Sequence, residues 1–235
     1  MIAPLAGISS MATRALLGEL AAACTAELGL EVRIESVGGV DAARRVEAGE
    51  PLDLVVLAAD AMDRLAKAGH LRAGSLRAVA DSAMVIAAPE AGASDRSHPD
   101  VSTADALREA LLRASAVGYS TGPSGTALLK LIDAWGLTDA LAGRLRQSPA
   151  GVPVGRMVAQ GDVDLGFQQL SELQHLPGVA VLGPMPQGLE IVTRFSVAVA
   201  ATSAEPATAQ RVADFLADAR HDERRRRLGM TTPSA

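Results

Sequence analysis

Four short stretches of this chain gather hydroxyls, glycines and amides in a pattern suited to an anion. Gly7-Ile-Ser-Ser-Met-Ala-Thr-Arg14 supplies Ser9 and Ser10, and Ser36-Val-Gly-Gly-Val-Asp41 supplies Ser36, Gly38 and Gly39. Tyr119-Ser-Thr-Gly-Pro-Ser-Gly125 supplies Ser120, Thr121, Gly122, Ser124 and Gly125. The stretch from Gly161 to Leu173 supplies Gln168 and Gln169. Each lies where an apolar run gives way to a helical pattern. The first N–H groups of a helix lack intrahelical partners and its dipole favours negative charge, so such junctions are ready anion sites. A capping role is the plain alternative for a single serine, but adjacent Ser9 and Ser10 exceed what one cap needs. At 119–125 the spacing fits neither GxxxxGK[ST] nor GxGxxG. A short nest of N–H and hydroxyl donors fits it better.

Around these junctions stand groups able to add charge or move protons. Arg14, Arg44, Arg156 and Arg194 offer planar forks for a carboxylate. Glu172, followed by His175, is the acid–base candidate of the fourth stretch, and Tyr119 that of the third. The four histidines, at 70, 98, 175 and 221, show no ligand spacing, and a lone Cys24 excludes an internal disulfide or a multi-cysteine centre. No metal and no cofactor are expected. Cys24 sits in an apolar helical run and reads as a small buried thiol.

Composition narrows the partners. Lys67 and Lys130 are the only lysines, so 20 of the 22 basic residues are arginine, and the net charge is −5. That balance gives no general attraction to nucleic acid or to anionic lipid. Aromatic residues are 2% of the chain, which argues against stacking on bases or sugars. No run approaches the roughly 20 apolar residues of a membrane span. Met1-Ile-Ala-Pro-Leu-Ala-Gly has no basic start and reaches Ser9 almost at once, unlike a secretory leader. As written, the chain reads as cytoplasmic; if it begins at a mature terminus, it reads as periplasmic.

The elements that must hold these groups alternate in kind. Strand-like runs fall at Val32–Ser36, Leu54–Ala58, Met84–Ala88, Ala116–Tyr119, Leu165–Gln168, Val179–Leu182 and Phe195–Ala200. Helical patterns fall at Thr13–Leu28, Asp41–Ala48, Ala61–Ala68, Thr103–Arg113, Gly125–Trp135, Val154–Gln160 and Ala207–Asp218. The alternation predicts an α/β protein. The arginines Arg224–Arg227 read as a solvated helix end, where cations suit the dipole.

Taken in order, the junctions resemble the type 2 periplasmic-binding-protein superfamily, in its molybdate-binding-protein-like branch. Glu47-Ala-Gly-Glu-Pro-Leu-Asp-Leu-Val-Val-Leu-Ala-Ala-Asp60 is similar to that branch's G-x-P-x-D segment. Gly166-Phe-Gln-Gln-Leu-Ser-Glu-Leu173 and Thr121-Gly-Pro-Ser-Gly125 resemble its aconitate-isomerase-like members. The resemblance implies a two-lobed α/β fold with a ligand cleft between the lobes. Lobe one would take residues 1–82 plus 194–235 and lobe two 83–193, making lobe one discontinuous. It implies a small-molecule anion or carboxylate ligand, with an ABC transporter permease as partner if the chain is exported. Ser36-Val-Gly-Gly39 and Gly166-Phe-Gln-Gln169 replace the S-S-G turn and G-F-V-Y strand of the oxyanion binders. These changes favour a di- or tricarboxylate over a tetrahedral oxyanion. Three readings follow: cofactor-independent isomerisation of an unsaturated polycarboxylate such as aconitate, transport of a molybdate-type oxyanion, and a sensor without turnover.

Overall fold

The computed structural model describes residues 3–90, 98–149 and 151–233. Its elements run β1 (Leu5–Ser10), α1 (Arg14–Leu28), β2 (Val32–Val37), α2 (Gly39–Glu47), β3 (Leu54–Ala58), α3 (Ala59–Lys67) and β4 (Arg77–Pro89). They continue with α4 (Ala104–Arg113), β5 (Val117–Tyr119), α5 (Pro123–Ala134), β6 (Leu145–Gln147), α6 (Val154–Gln160) and β7 (Leu165–Gln169). The last are α7 (Leu170–Leu173), β8 (Val179–Pro184), β9 (Val192–Val199), α8 (Pro206–Ala217) and α9 (Asp222–Arg227). The chain forms two compact units, Met1–Ser82 with Arg194–Ala235, and Ala83–Thr193. The α/β class predicted from alternation is the class observed.

In the first unit β1 lies between β2 and β3, parallel to both, and β3 pairs antiparallel with β9. Every residue of β3 is buried, as a continuous apolar run on a parallel strand requires when both faces are covered. Alternating side chains divide the core. Leu54 and Val56 join Leu16, Leu20 and Cys24 of α1 and Val212 and Leu216 of α8, while Val55 and Leu57 join Val46 of α2 and Met62 of α3. Cys24 is fully buried, and burial pushes its thiol above the ordinary range. Strand β1 is absent from the predicted runs because Leu-Ala-Gly-Ile-Ser-Ser is short, small and half polar. Its burial comes from the partners on either side.

Asp53, from the Gly-Glu-Pro-Leu-Asp segment, ties this unit together. Its carboxylate accepts from Ala6 N at 2.9 Å and from Ser203 Oγ at 2.6 Å, while its own N–H donates to Ala6 O at 2.7 Å. This residue aligns strands and is spent on structure.

The arginine run departs from its predicted solvated end. Arg226 is exposed, but Arg225 has no exposed surface. A helix turns one side in four inward, and here that side meets acceptors. Arg225 donates to Val79 O at 2.6 Å, Leu216 O at 3.2 Å and the Asp222 carboxylate at 2.6 Å. Beside it His221 is buried, its ring 4.8 Å from that of Phe215. Arg224 donates to Nδ1 at 2.9 Å, and a guanidinium cannot accept, so the neutral ring carries its proton on Nε2. That Nε2 is buried without a partner.

Burial, then Arg220, Arg224 and Arg225, hold His221 below its ordinary 6.5, opposed by Asp218. The unfolded chain therefore takes this proton more readily than the native one. The contribution to stability is whole above pH 6.5 and is lost as pH falls from there toward the native value. Melting temperature should drop more between neutral pH and about pH 5 in wild type than in His221→Phe. Parallel curves would exclude His221 as the source.

The second unit repeats the layout. Strand β8 pairs with β4, β4 pairs antiparallel with β7, and β5 lies parallel between β7 and β6. One face packs Met84, Ile86, Val117 and Phe167 against Leu107 of α4 and Leu128 of α5. On the other, Gly166 lets α6 lie directly on β7, since a Cβ there would stand 2.3 Å from Val158 Cγ2. Among the described residues no helix is long and apolar enough to cross a membrane.

Candidate functional site

Parallel strands bring their carboxyl ends to one edge, the place where open α/β sheets bind ligands. In the first unit that edge carries Ser10, Val37 and Ala58, each leading into a helix; in the second it carries Tyr119, Gln147 and Gln169. No side chain caps α1, α2 or α3, nor α5 or α7. Away from these strand ends α4 is capped by the Thr103 hydroxyl accepting from Ala106 N at 3.1 Å, while α8 has no side-chain cap. The starts at the carboxyl edge thus have backbone donors that no capping side chain takes up.

The serines of the first unit separate into two roles. Ser9 is fully buried and its Oγ meets Ser36 Oγ at 2.8 Å, clipping β1 to β2 where the two residues are in register. Ser10 is 8% exposed, and its Oγ is buried with no hydrogen-bond partner. It does not cap the turn that follows; Thr13 Oγ1 donates to the Ser10 carbonyl at 3.0 Å instead. Gly39 opens α2 against it, a Cβ there falling 3.7 Å from Ser10 Cβ, and Gly38 is the N-cap. An unsatisfied buried hydroxyl costs about 1–3 kcal/mol, and the Ser10 hydroxyl is such a group, held beside the start of α2 with its O–H left to donate. Ser36 also lines, with Arg14, an open groove of about 670 Å³ along α1 and β2.

In the second unit Ser120 Oγ and Ser124 Oγ meet at 3.1 Å across the start of α5, with Ser124 buried and Thr121 exposed. Gly122 is the N-cap and Pro123 opens the helix, where its missing N–H costs nothing. Gly125 is there for packing. A Cβ would stand 1.9 Å from Ser120 O, so only glycine lets the helix start fold onto the strand end. Tyr119 packs on the core, and its carbonyl accepts from Ser148 N at 2.9 Å. Ser148 is a buried edge residue that sequence reasoning missed, because the three-residue strand before it carries no readable pattern.

The two glutamines turn inward. Gln168 Oε1 accepts from Gly155 N at 3.1 Å, filling a donor at the start of α6, and Gln169 Nε2 donates to Thr193 Oγ1 at 3.1 Å. With its oxygen engaged, the Gln168 amide nitrogen donates to the Glu172 carboxylate, which lowers that group's pKa. Burial outweighs this bond and pushes Glu172 up to about 7. His175 is exposed, at a φ of 65°. Of the four candidate arginines, Arg194 is held by Asp81 through two bonds of 2.9 Å, and Arg44 is paired with Asp41. Arg14 and Arg156 are exposed.

Each of the two α/β units, one of them discontinuous in sequence, carries uncapped helix starts and small hydroxyls at the carboxyl ends of its parallel strands. The chain belongs to the family of bacterial extracellular solute-binding proteins, whose model matches residues 5–231. Its fold is that of the type 2 periplasmic binding proteins. Among curated proteins it is similar to an aconitate isomerase from a Pseudomonas species, 32% identical over 174 residues. That match takes in 74% of this chain but 64% of the isomerase, so the chain spans less than two thirds of its relative. Among solved structures it resembles the periplasmic molybdate-binding protein of Azotobacter vinelandii (TM-score 0.79, 18% identity, 98% of this chain and 100% of that one). It also resembles the sulfate-binding protein of Mycobacterium tuberculosis (TM-score 0.73, 17% identity, 97% and 86%). At such identities these likenesses are of fold.

Proposed function

We propose that this protein binds a small, multiply charged anion, with a di- or tricarboxylate preferred over a tetrahedral oxyanion. It would deliver that ligand outside the cytoplasm to an ABC transporter permease. One observation carries the reading: the buried Ser10 hydroxyl has no partner and stands against the uncapped start of α2. The fold relatives that bind molybdate and sulfate support anion chemistry, and the aconitate isomerase relative supports a carboxylate.

A thermal-shift series with cis- and trans-aconitate, citrate, molybdate and sulfate tests it. A ligand at a hundred times its Kd adds about 2.7 kcal/mol, roughly 5–10 °C for a chain of this size. Stabilisation by molybdate alone would overturn the carboxylate preference. Ser10→Ala should leave the ligand-free melting temperature unchanged or slightly raised, because no bond is lost, yet weaken the stabilising anion about ten- to hundredfold. Ser9→Ala should instead lower the ligand-free melting temperature, since the Ser36 bond goes. Unchanged affinity in Ser10→Ala would make that hydroxyl a packing feature.

The second reading, isomerisation of an unsaturated polycarboxylate, draws on the isomerase relative and on Glu172. A carboxyl with a pKa near 7 suits removal and return of an allylic proton at neutral pH. Incubation of cis-aconitate with the protein in deuterated water, followed by NMR, decides this. Appearance of the trans isomer or deuterium uptake supports turnover, and neither appearing leaves binding alone.

A further inference from the structure

We propose that β2 is a pairing edge for a second copy of this chain. Two molecules would join through antiparallel β2 strands, in the register that sets Arg33 of each against Glu35 of the other. The surface lies within the first unit and is independent of the anion reading.

Strand β2 ends its sheet: it pairs with β1 and with no other described strand. That pairing runs unbroken from Leu5 opposite Val32 to Ser10 opposite Val37, with no bulge and no proline on β2. Edge strands are commonly kept from joining by shortness, proline or a bulge. The end strand β6 of the second unit is three residues long, whereas β2 has six. Leu5 N donates to Glu31 O, so the backbone groups of Glu31, Arg33 and Glu35 turn toward β1. Those of Val32, Ile34 and Ser36 therefore point away from the sheet, and no described backbone group meets them. Beside this edge the groove along α1 is open, and a Cβ on Gly18 would meet nothing within 4 Å.

Charge selects the occupant. Arg33 and Glu35 share the opposite face of β2 from Ile34, with side chains 74% and 58% exposed. A two-fold axis at Ile34 makes Ile34 against the partner's Ile34, and Val32 against the partner's Ser36, the hydrogen-bonded pairs. Arg33 then lies opposite the partner's Glu35, and Glu35 opposite the partner's Arg33, in the closer positions without backbone bonds. Moving the axis one residue, to Arg33 or to Glu35, sets like charges against each other. Within the chain Glu31 and Arg45 already pair with Arg33 and Glu35, at 2.8 and 2.7 Å, but exposed pairs of this kind hold weakly. On the groove face the same register brings together the two Ile34 side chains, which are half-buried in the single chain. Antiparallel pairing also points the carboxyl edges of the two copies in opposite directions, so neither faces the other.

Sedimentation equilibrium of the full chain tests this. Pairing through one strand edge is small as interfaces go, so the mass should rise with concentration from one chain toward two. Arg33→Glu turns two attractive pairs into two repulsive ones and should weaken association about ten- to hundredfold, as should Glu35→Arg. An equal mixture of the two variants regains both opposite-charge pairs and should associate about as tightly as wild type. In wild type, NMR-detected hydrogen exchange should slow at the Val32, Ile34 and Ser36 amides as concentration rises. A single-chain mass at every concentration overturns the proposal, whether another partner or none then takes the edge. Association that persists in both variants, or that leaves those three amides unprotected, assigns the dimer to another face and overturns it equally. A mixture that stays monomeric beside an associating wild type overturns the register. Thermal melts establish that each variant is folded. Should Glu35→Arg lose its fold along with the Arg45 pair, Arg33→Glu and the wild-type amides decide.

Discussion

Gly125→Ala should disable the second unit's nest while the chain still folds. The added methyl would sit 1.9 Å from Ser120 O and 2.9 Å from Ser120 C, both backbone atoms between a strand and a helix start. Neither can swing aside as a side-chain tip would, so the turn from β5 to α5 must open. Forced overpacking of this kind costs about 3 kcal/mol, or roughly 6–12 °C in melting temperature. The Ser120–Ser124 contact and the first N–H groups of α5 would shift by a sizeable fraction of an ångström. Misplacement on that scale reduces a site about a hundredfold, and calorimetry with the stabilising anion reads it directly. Gly122→Ala is the matched comparison. Its methyl would find Ser120 Oγ at 3.8 Å with φ at −83°, so less than about 1 kcal/mol should be lost. Equal losses in the two variants would show that the nest tolerates displacement and is not where the anion sits.

The second large effect belongs to Arg225. Replacing it by alanine strands the Val79 and Leu216 carbonyls and leaves Asp222 without its cation, in a place no water reaches at the guanidinium. Breaking a buried charged pair by removing one partner costs about 3–5 kcal/mol. For a chain of this length that is a fall of roughly 6–20 °C in melting temperature. Arg226→Ala, one position on and exposed, should stay within about 0.5 kcal/mol of wild type. Thermal melts of both suffice. Similar melting temperatures would mean that Arg225 contributes packing and that its three bonds are replaceable.

The sequence by itself determined the α/β class, the family likeness and the four junctions at which strands hand over to helices. It could do so because those signals are local: apolar runs of strand length, helical periodicity, and glycine, serine or proline at helix starts. Cys24 was legible for the same reason, as an apolar helix position buries whatever small side chain occupies it. The first junction also held a strand that its own residues do not announce. Leu5–Ser10 is a strand because β2 and β3 flank it.

Tertiary structure decided which of the junction residues are already spent. Ser9 and Ser10 are neighbours of one type, yet register places Ser9 opposite Ser36 and leaves Ser10 with nothing to bond. Gln168 and Gln169 read as ligand donors until α6 and Thr193 take up their amides. Asp81 claims Arg194 across 113 residues of sequence, and Arg225 leaves a run of identical letters for the core. Even the Glu172 carboxyl owes its elevated pKa to what surrounds it. Hydrogen-bond capacity is written in the side chain, but whether it is used or free depends on residues far away in sequence, and those meet only when the chain is folded.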